Sequence, residues 1–226
     1  MTNLSMSYAG HVSDRVEDLY HGIVKPESID LHFIPLPPFQ AFSRFLRGEF
    51  DCGEMSFSTY VIKTAQSKVD GKPLPFVAIP IFPSRTFRHG AIYVNRATGI
   101  TRPEELAGRR VGVPEYQMTA AVWTRGMAIR EGCPEVGPLF DDLASAEQAY
   151  YRATGLFPIM HAVVIRRELY ERNPWAAVSL YQAFEQAKDN CLSRLAVEEP
   201  VPLSLPWSWS LRQKVVEMMG DDFWPY

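Results

Sequence analysis

The sequence has few cysteines, no strong excess of charge and no long apolar run. Its three cysteines, Cys52, Cys133 and Cys191, are odd in number and far apart, so they predict small buried side chains and not a disulfide framework or a zinc knuckle. The formal net charge of −3 argues against a nucleic-acid partner. No apolar stretch is long enough to span a bilayer, so no membrane association is expected.

Several familiar signatures are also missing. The segment at residues 1–20 has no basic start followed by an apolar run, so we expect no secretory signal and a cytoplasmic location. A Gly-rich phosphate loop and a Gly-x-Ser-x-Gly elbow are absent, which disfavours nucleotide binding and serine hydrolysis. Neither His-x-x-x-His nor paired cysteines indicate a dedicated metal site.

What is present is a regular alternation of strand-like and helix-like segments, which is typical of an α/β sheet with crossover helices. The 46% hydrophobic content of the 226 residues is enough to bury a core. Predicted strands are 4–9, 29–36, 50–55, 75–82, 88–94, 110–113 and 157–165. Predicted helices or helical turns are 15–20, 39–46, a helix after Ser56, 101–106, 118–129, 144–152, 174–195 and 211–219.

Four long strings of the sequence resemble one protein family. They are LRGEFDCGEMSFSTY, FVAIPIFPSRTFRHGAIYVN, GRRVGVPEYQMTAAVW and YYRATGLFPIMHAVVIRRELYERNPW. The chain is thereby identified as similar to the 4,5-dihydroxyphthalate decarboxylases. This resemblance implies a type II periplasmic-binding-protein-like fold with a mixed sheet and two lobes. Lobe I is expected at residues 1–88 and 159–226, and lobe II at 89–158.

The sequence departs from the family pattern in lobe II. A long segment of the family is replaced by the short join Glu131–Glu135, and the chain stops at Tyr226, before the usual C-terminus. The resemblance therefore implies an incomplete second lobe. Apolar surface left bare there would favour a homo-oligomer.

The family chemistry removes one carboxylate from a dihydroxylated aromatic dicarboxylate, without an organic cofactor and with a divalent metal left open. The densest cluster of suitable groups is Arg85, Arg88 and His89. We expect Arg88 to bind a carboxylate, Arg85 to assist it and His89 to donate a proton to the ring. The alternative is a solvated basic loop with an ordinary histidine.

Hydroxyl groups stand where two helices are predicted to begin. Ser56, Ser58 and Thr119 could bind a carboxylate together with free backbone N–H groups, or could simply cap the helices. Tyr116 and Gln117 could stack on the ring and hydrogen-bond to it.

Glu54 and His161 complete the candidate catalytic set with His89. Glu54 is expected to be a base towards a ring hydroxyl or a partner for Arg88. His161 lies in the apolar run Phe157–Ile165 and is either a core histidine or a cleft residue on a strand beside the one that holds His89. A metal site would need the fold to bring His89, His161 and Glu54 together.

Three functions remain open from the sequence. The first is a decarboxylase, a carboxy-lyase of phthalate degradation, acting in a cleft between two lobes on a small aromatic carboxylate. The second is a binding protein that captures a small anionic or aromatic solute without chemistry. The third is an inactive remnant that persists as a stable domain.

Overall fold

The computed structural model describes residues 2–110, 112, 119–120, 136–197, 204–205 and 207–226. The chain divides into two compact units. Unit 1 comprises Met1–Met55, Lys63–Pro83 and His161–Tyr226, and unit 2 comprises Ser56–Ile62 and Ser84–Met160. The lobe boundaries drawn from the sequence stay a prediction.

A five-stranded sheet has the order β2-β1-β3-β7-β4, and a separate antiparallel pair is formed by β5 and β6. The strands are β1 Leu4–Gly10, β2 Ile29–Pro35, β3 Cys52–Ser56, β4 Phe76–Arg85, β5 Tyr93–Asn95, β6 Val136–Pro138 and β7 Ile159–Arg166. β1 runs parallel to both β2 and β3.

β7 is antiparallel to its neighbours in the sheet. The backbone N–H of Arg167, just after the end of β7, donates to the carbonyl of Pro75, just before the start of β4. At the other end of the pair, the N–H of Thr86 donates to the carbonyl of Pro158. The sheet is therefore mixed, and the predicted α/β class with a mixed sheet is confirmed.

Helices occupy segments between and after the strands. They are α1 Glu17–Tyr20, α2 Pro38–Leu46, α3 Phe57–Asp70, α4 Leu143–Thr154, α5 Arg167–Arg172, α6 Trp175–Leu195 and α7 Ser208–Met219, with 3₁₀ turns at His89–Ala91, Arg96–Thr98 and Pro103–Leu106. In α4, the Asp142 side chain accepts from the N–H of Ser145, and Gly155 closes the helix at φ +65°.

The main core of unit 1 lies between one face of the sheet and α6. Met6 and Tyr8 of β1 and Val163 of β7 are completely buried in it. From α6, Leu180 and Phe184 are completely buried in the same cluster. The alternation of apolar and polar residues along β1 thus reflects a strand with one face in the core.

The predicted strand over Arg88–Val94 is wrong in its first half. A 3₁₀ turn occupies His89–Ala91, and only Tyr93–Asn95 are extended. A side chain at Gly90 would lie 2.8 Å from the Leu143 side chain, so this turn is packed against the start of α4. That packing favours local hydrogen bonds over strand pairing.

The predictions for the cysteines and for two further elements are tested only in part, because some of their residues lie outside the described ranges. Cys52 and Cys191 are buried free thiols, and Cys133 lies outside the described residues. Half of the predicted strand 110–113 and most of the predicted helix 118–129 also lie outside them. No helix of the part of the chain that the structure describes has the length and apolar character needed to cross a membrane.

Candidate functional site

A carboxylate and an imidazole meet at one edge of the unit 1 sheet. Glu54 is the middle residue of β3, and His161 lies near the start of the neighbouring antiparallel strand β7. The two side chains come together because the start of an antiparallel strand lies beside the carboxyl-terminal part of its neighbour. His161 Nδ1 lies 2.9 Å from Glu54 Oε2.

The Glu54 carboxylate is almost completely buried, with 2% of the residue exposed. Its second oxygen, Oε1, accepts a hydrogen bond of 2.9 Å from the backbone N–H of His11. A buried carboxylate requires such partners, because an isolated charge would be strongly disfavoured away from water. His11 therefore contributes its main-chain N–H to the site.

The hydrogen bond to Glu54 determines what His161 can do. A carboxylate partner at Nδ1 favours the tautomer with the proton on that nitrogen, which leaves the Nε2 lone pair available. The His161 side chain retains 16% exposure, and the Phe42 ring packs edge-on against the imidazole at 4.8 Å between centroids. This arrangement can take up a proton at Nε2 and stabilise the resulting imidazolium through Glu54.

In unit 2, three buried hydroxyl groups form a triangle at the start of α3. Ser56 Oγ lies 2.7 Å from Thr119 Oγ1 and 3.1 Å from Ser58 Oγ, and the Ser58 N–H donates to Thr119 Oγ1 at 3.2 Å. The structure thus brings together residues that are about sixty positions apart in the sequence. Since the Ser58 N–H is bound by Thr119, the capping interpretation accounts for the contacts, and carboxylate binding by this cluster stays a prediction.

The predicted arginines lie at the end of β4 and in the turn after it, also in unit 2. Arg88 Nε donates to the Met160 sulfur at 3.0 Å, and partial burial lowers the pKa of Arg88. Arg85 Nη1 donates to the carbonyl of Phe157 at 3.0 Å. Both guanidinium groups thus contact residues at or just before the start of β7.

His89 lies in the 3₁₀ turn of unit 2, between the rings of Phe140 and Tyr150, at centroid distances of 5.3 and 5.2 Å. Its Nδ1 is buried without a hydrogen-bond partner among the described residues. Burial lowers the pKa of His89, so the neutral imidazole predominates at pH 7. This environment favours a hydrogen-bonding role over a stored proton, and the predicted proton donation stays a prediction.

The predicted site residues are therefore divided between the two units. Glu54 and His161 form one pair in unit 1, and the serines, Thr119, the arginines and His89 lie in unit 2. Within unit 1, Glu54 binds His161 and the backbone N–H of His11, and its predicted partnership with Arg88 stays a prediction. Tyr116 and Gln117 lie outside the described residues. Among the residues that the structure describes, no group of three His, Cys, Asp or Glu side chains is close enough to hold a metal ion.

Sequence similarity places the chain in a family. It is 30% identical to a protein of Comamonas testosteroni named 4,5-dihydroxyphthalate decarboxylase, in an alignment that covers all of this chain and 87% of the relative. This chain belongs to the 4,5-dihydroxyphthalate decarboxylase family. The alignment runs over 293 positions, more than the 226 residues of this chain, so that relative has residues with no counterpart here.

A second family member is a protein of the same name from Pseudomonas putida. It is 40% identical over 124 residues, which are 54% of this chain and 45% of that protein. No protein-family model matches the chain.

Solved structures agree on the fold of this family member. A Candida albicans gene product described as having the generic periplasmic binding protein fold aligns with a TM-score of 0.51 and 10% identity, covering 95% of this chain and 80% of its own. A protein of Bordetella bronchiseptica aligns with a TM-score of 0.51 and 14% identity, covering 97% and 83%. At these identities the likeness shows the fold alone, and it confirms the periplasmic-binding-protein-like architecture.

Proposed function

We propose that this family member decarboxylates 4,5-dihydroxyphthalate, or a closely related dihydroxylated aromatic dicarboxylate, to protocatechuate or the corresponding product. The observation that carries the proposal is the Glu54–His161 pair, joined at 2.9 Å at the sheet edge of a chain that is similar to named decarboxylases. Such a step would belong to the breakdown of phthalates.

The proposed decarboxylation needs one side chain that first accepts a proton and then donates it. The ring carbon that bears one carboxylate takes a proton, its bond to the carboxyl carbon then breaks, CO₂ leaves, and the electron pair of that bond returns to the ring. A ring hydroxyl para to the leaving carboxylate supplies electron density when its proton is removed. His161 Nε2 would accept that proton, and the imidazolium, stabilised by Glu54, would return a proton to the ring carbon.

The remaining predicted residues would bind the substrate. Arg88, with Arg85, would bind a carboxylate, as Ser56, Ser58 and Thr119 could in the same unit. His89 would hydrogen-bond a ring substituent as a neutral imidazole, and Tyr116 and Gln117 would contact the ring. No organic cofactor is part of this proposal. A divalent ion is tested directly, since a metal-dependent reaction would stop after dialysis against EDTA and return with added metal.

The second candidate is a protein that binds a small anionic or aromatic solute and performs no chemistry. The periplasmic-binding-protein-like fold is compatible with this candidate, because the same fold serves both purposes.

One experiment separates these functions. The purified chain is incubated with 4,5-dihydroxyphthalate, and CO₂ release and product formation are followed for the wild type, His161→Asn and His32→Asn. His32 is the matched control, because it is an exposed histidine on β2 of the same sheet. Turnover that is lost in His161→Asn and kept in His32→Asn supports the decarboxylase. Saturable binding without turnover supports the solute-binding protein, and neither binding nor turnover contradicts both.

A further inference from the structure

Tyr8 of β1 has a completely buried side chain that ends in a polar hydroxyl group. Its ring packs against Phe33 at 4.8 Å and edge-on against Phe184 at 5.3 Å. Its hydroxyl is buried and has no hydrogen-bond partner among the described residues. A buried hydroxyl without a partner is unfavourable, so its presence calls for a reason other than packing.

The backbone places this hydroxyl beside the Glu54 carboxylate. In the parallel pairing of β1 with β3, Tyr8 is opposite Cys52 and Ala9 is opposite Gly53, so Gly10 comes opposite Glu54. Alternation along a strand puts Tyr8, Gly10, Cys52 and Glu54 on one face of the sheet. A side chain at Gly10 would meet the Tyr8 oxygen at 2.6 Å, so the phenol extends along β1 over Gly10, level with Glu54.

Other ionisable groups also face this position. Burial, followed by the charge of Glu54 and then by Cys52 and Tyr226, raises the pKa of Tyr8, so Tyr8 stays a neutral phenol that can donate a proton. Burial also raises the pKa of Tyr226, whose neighbours include Arg15 and Glu54. Arg15 in turn lies under the Trp224 ring at 3.8 Å and donates to the carbonyl of Pro83 at 3.2 Å.

We propose that Tyr8 is a positioning residue of the Glu54–His161 pair, whose hydroxyl flanks the carboxylate and moderates its affinity for a proton. This inference rests on the proposed function for its catalytic consequence. Glu54 accepts one hydrogen bond at each oxygen, whereas a carboxylate can accept about four, so it retains capacity for the phenol. The O–H dipole beside the carboxylate favours its charged form, although the phenol has no hydrogen-bond partner among the described residues.

The test compares Tyr8→Phe with Tyr20→Phe. Both substitutions remove only a hydroxyl, and both rings contact Phe33, but Tyr20 is 40% exposed and lies on the helix α1. For each variant we would measure the thermal unfolding midpoint, kcat and KM against pH, and the pH titration of the His161 ring by NMR, assigned with His161→Asn.

For Tyr8→Phe we expect an unfolding midpoint equal to or above that of the wild type, because an unsatisfied buried hydroxyl has been removed. We expect the proton uptake of the Glu54–His161 pair to move to higher pH, since a carboxylate that loses a neighbouring O–H dipole becomes more basic. We also expect kcat to fall roughly threefold to tenfold with little change in KM. Tyr20→Phe should change none of these.

Two results would overturn the inference. One is an unchanged His161 titration in Tyr8→Phe, and the other is a lowered unfolding midpoint with an unchanged pH profile, since both would assign Tyr8 to packing alone. The NMR titration does not depend on turnover. If the wild type fails to release CO₂ while the titration still shifts in Tyr8→Phe, the proposed function fails and the positioning of the pair by Tyr8 stands.

Discussion

Replacing Glu54 by glutamine is the sharpest perturbation of the proposed chemistry, because it removes a charge and changes almost nothing in volume. The amide oxygen can still accept from the His11 N–H, which now binds Oε1 at 2.9 Å. The amide NH₂ then faces His161 Nδ1, where the carboxylate oxygen was at 2.9 Å. His161 must accept at Nδ1 and carry its proton on Nε2, so the base is lost.

The expected losses of kcat and of unfolding free energy follow from the interactions that Glu54 and His161 lose. An imidazole in the wrong tautomer forfeits general-base catalysis, which is worth roughly 10²–10⁴-fold in kcat. Hydrogen bonds to a charged group contribute about 1.5–3 kcal/mol and neutral ones about 0.5–1.5 kcal/mol. Because the Glu54→Gln site keeps its hydrogen-bond partners, we expect a loss of only about 1–2 kcal/mol of unfolding free energy.

The assay combines initial rates of CO₂ release with chemical denaturation of Glu54→Gln, His161→Asn and the double variant. The two residues act as a unit, so we expect the double variant to be little slower than His161→Asn alone. A Glu54→Gln protein that keeps its fold and more than half of the wild-type kcat would refute the proposed role of the pair. Losses of kcat that add fully in the double variant would show that the residues act separately.

Three further predictions concern other parts of the structure. Gly10→Ala should lower the unfolding free energy by about 1–3 kcal/mol in denaturation experiments, because its Cβ would lie 2.6 Å from the oxygen of the tightly packed Tyr8. Lys188→Met should cost about 1–2 kcal/mol in the same assay, a modest loss because the acidic partners of this buried lysine can return to water. Burial lowers the pKa of His89 in the folded state, so the unfolded chain binds more protons and the melting temperature should fall as pH drops through about 6.5; His89→Asn should reduce that fall, whereas the exposed-site variant His21→Asn should not.

Local sequence rules work where one strong preference decides. The alternation in β1 and β2 predicts strands, because a sheet face in the core selects apolar residues at every second position. Proline at the first position and Glu105, which accepts from the N–H groups of Thr101 and Arg102, predict the turn at Pro103–Leu106. The prediction of a strand starting at Arg88 is wrong, because the packing of Gly90 against Leu143, fifty-three positions away, outweighs the local preference for extended backbone.

The sequence by itself determined the α/β class and the family, because hydrophobic periodicity and long shared strings are properties of the chain read in order. Only the tertiary structure decided that Glu54 and His161, 107 positions apart, form a hydrogen-bonded pair, and that Ser56, Ser58 and Thr119 form another cluster. For the Glu54–His161 pair, the physical reason is that β7 enters the sheet in the antiparallel direction between β3 and β4. The direction and place of a strand depend on the packing of the whole sheet, so they determine which distant side chains meet at its edge.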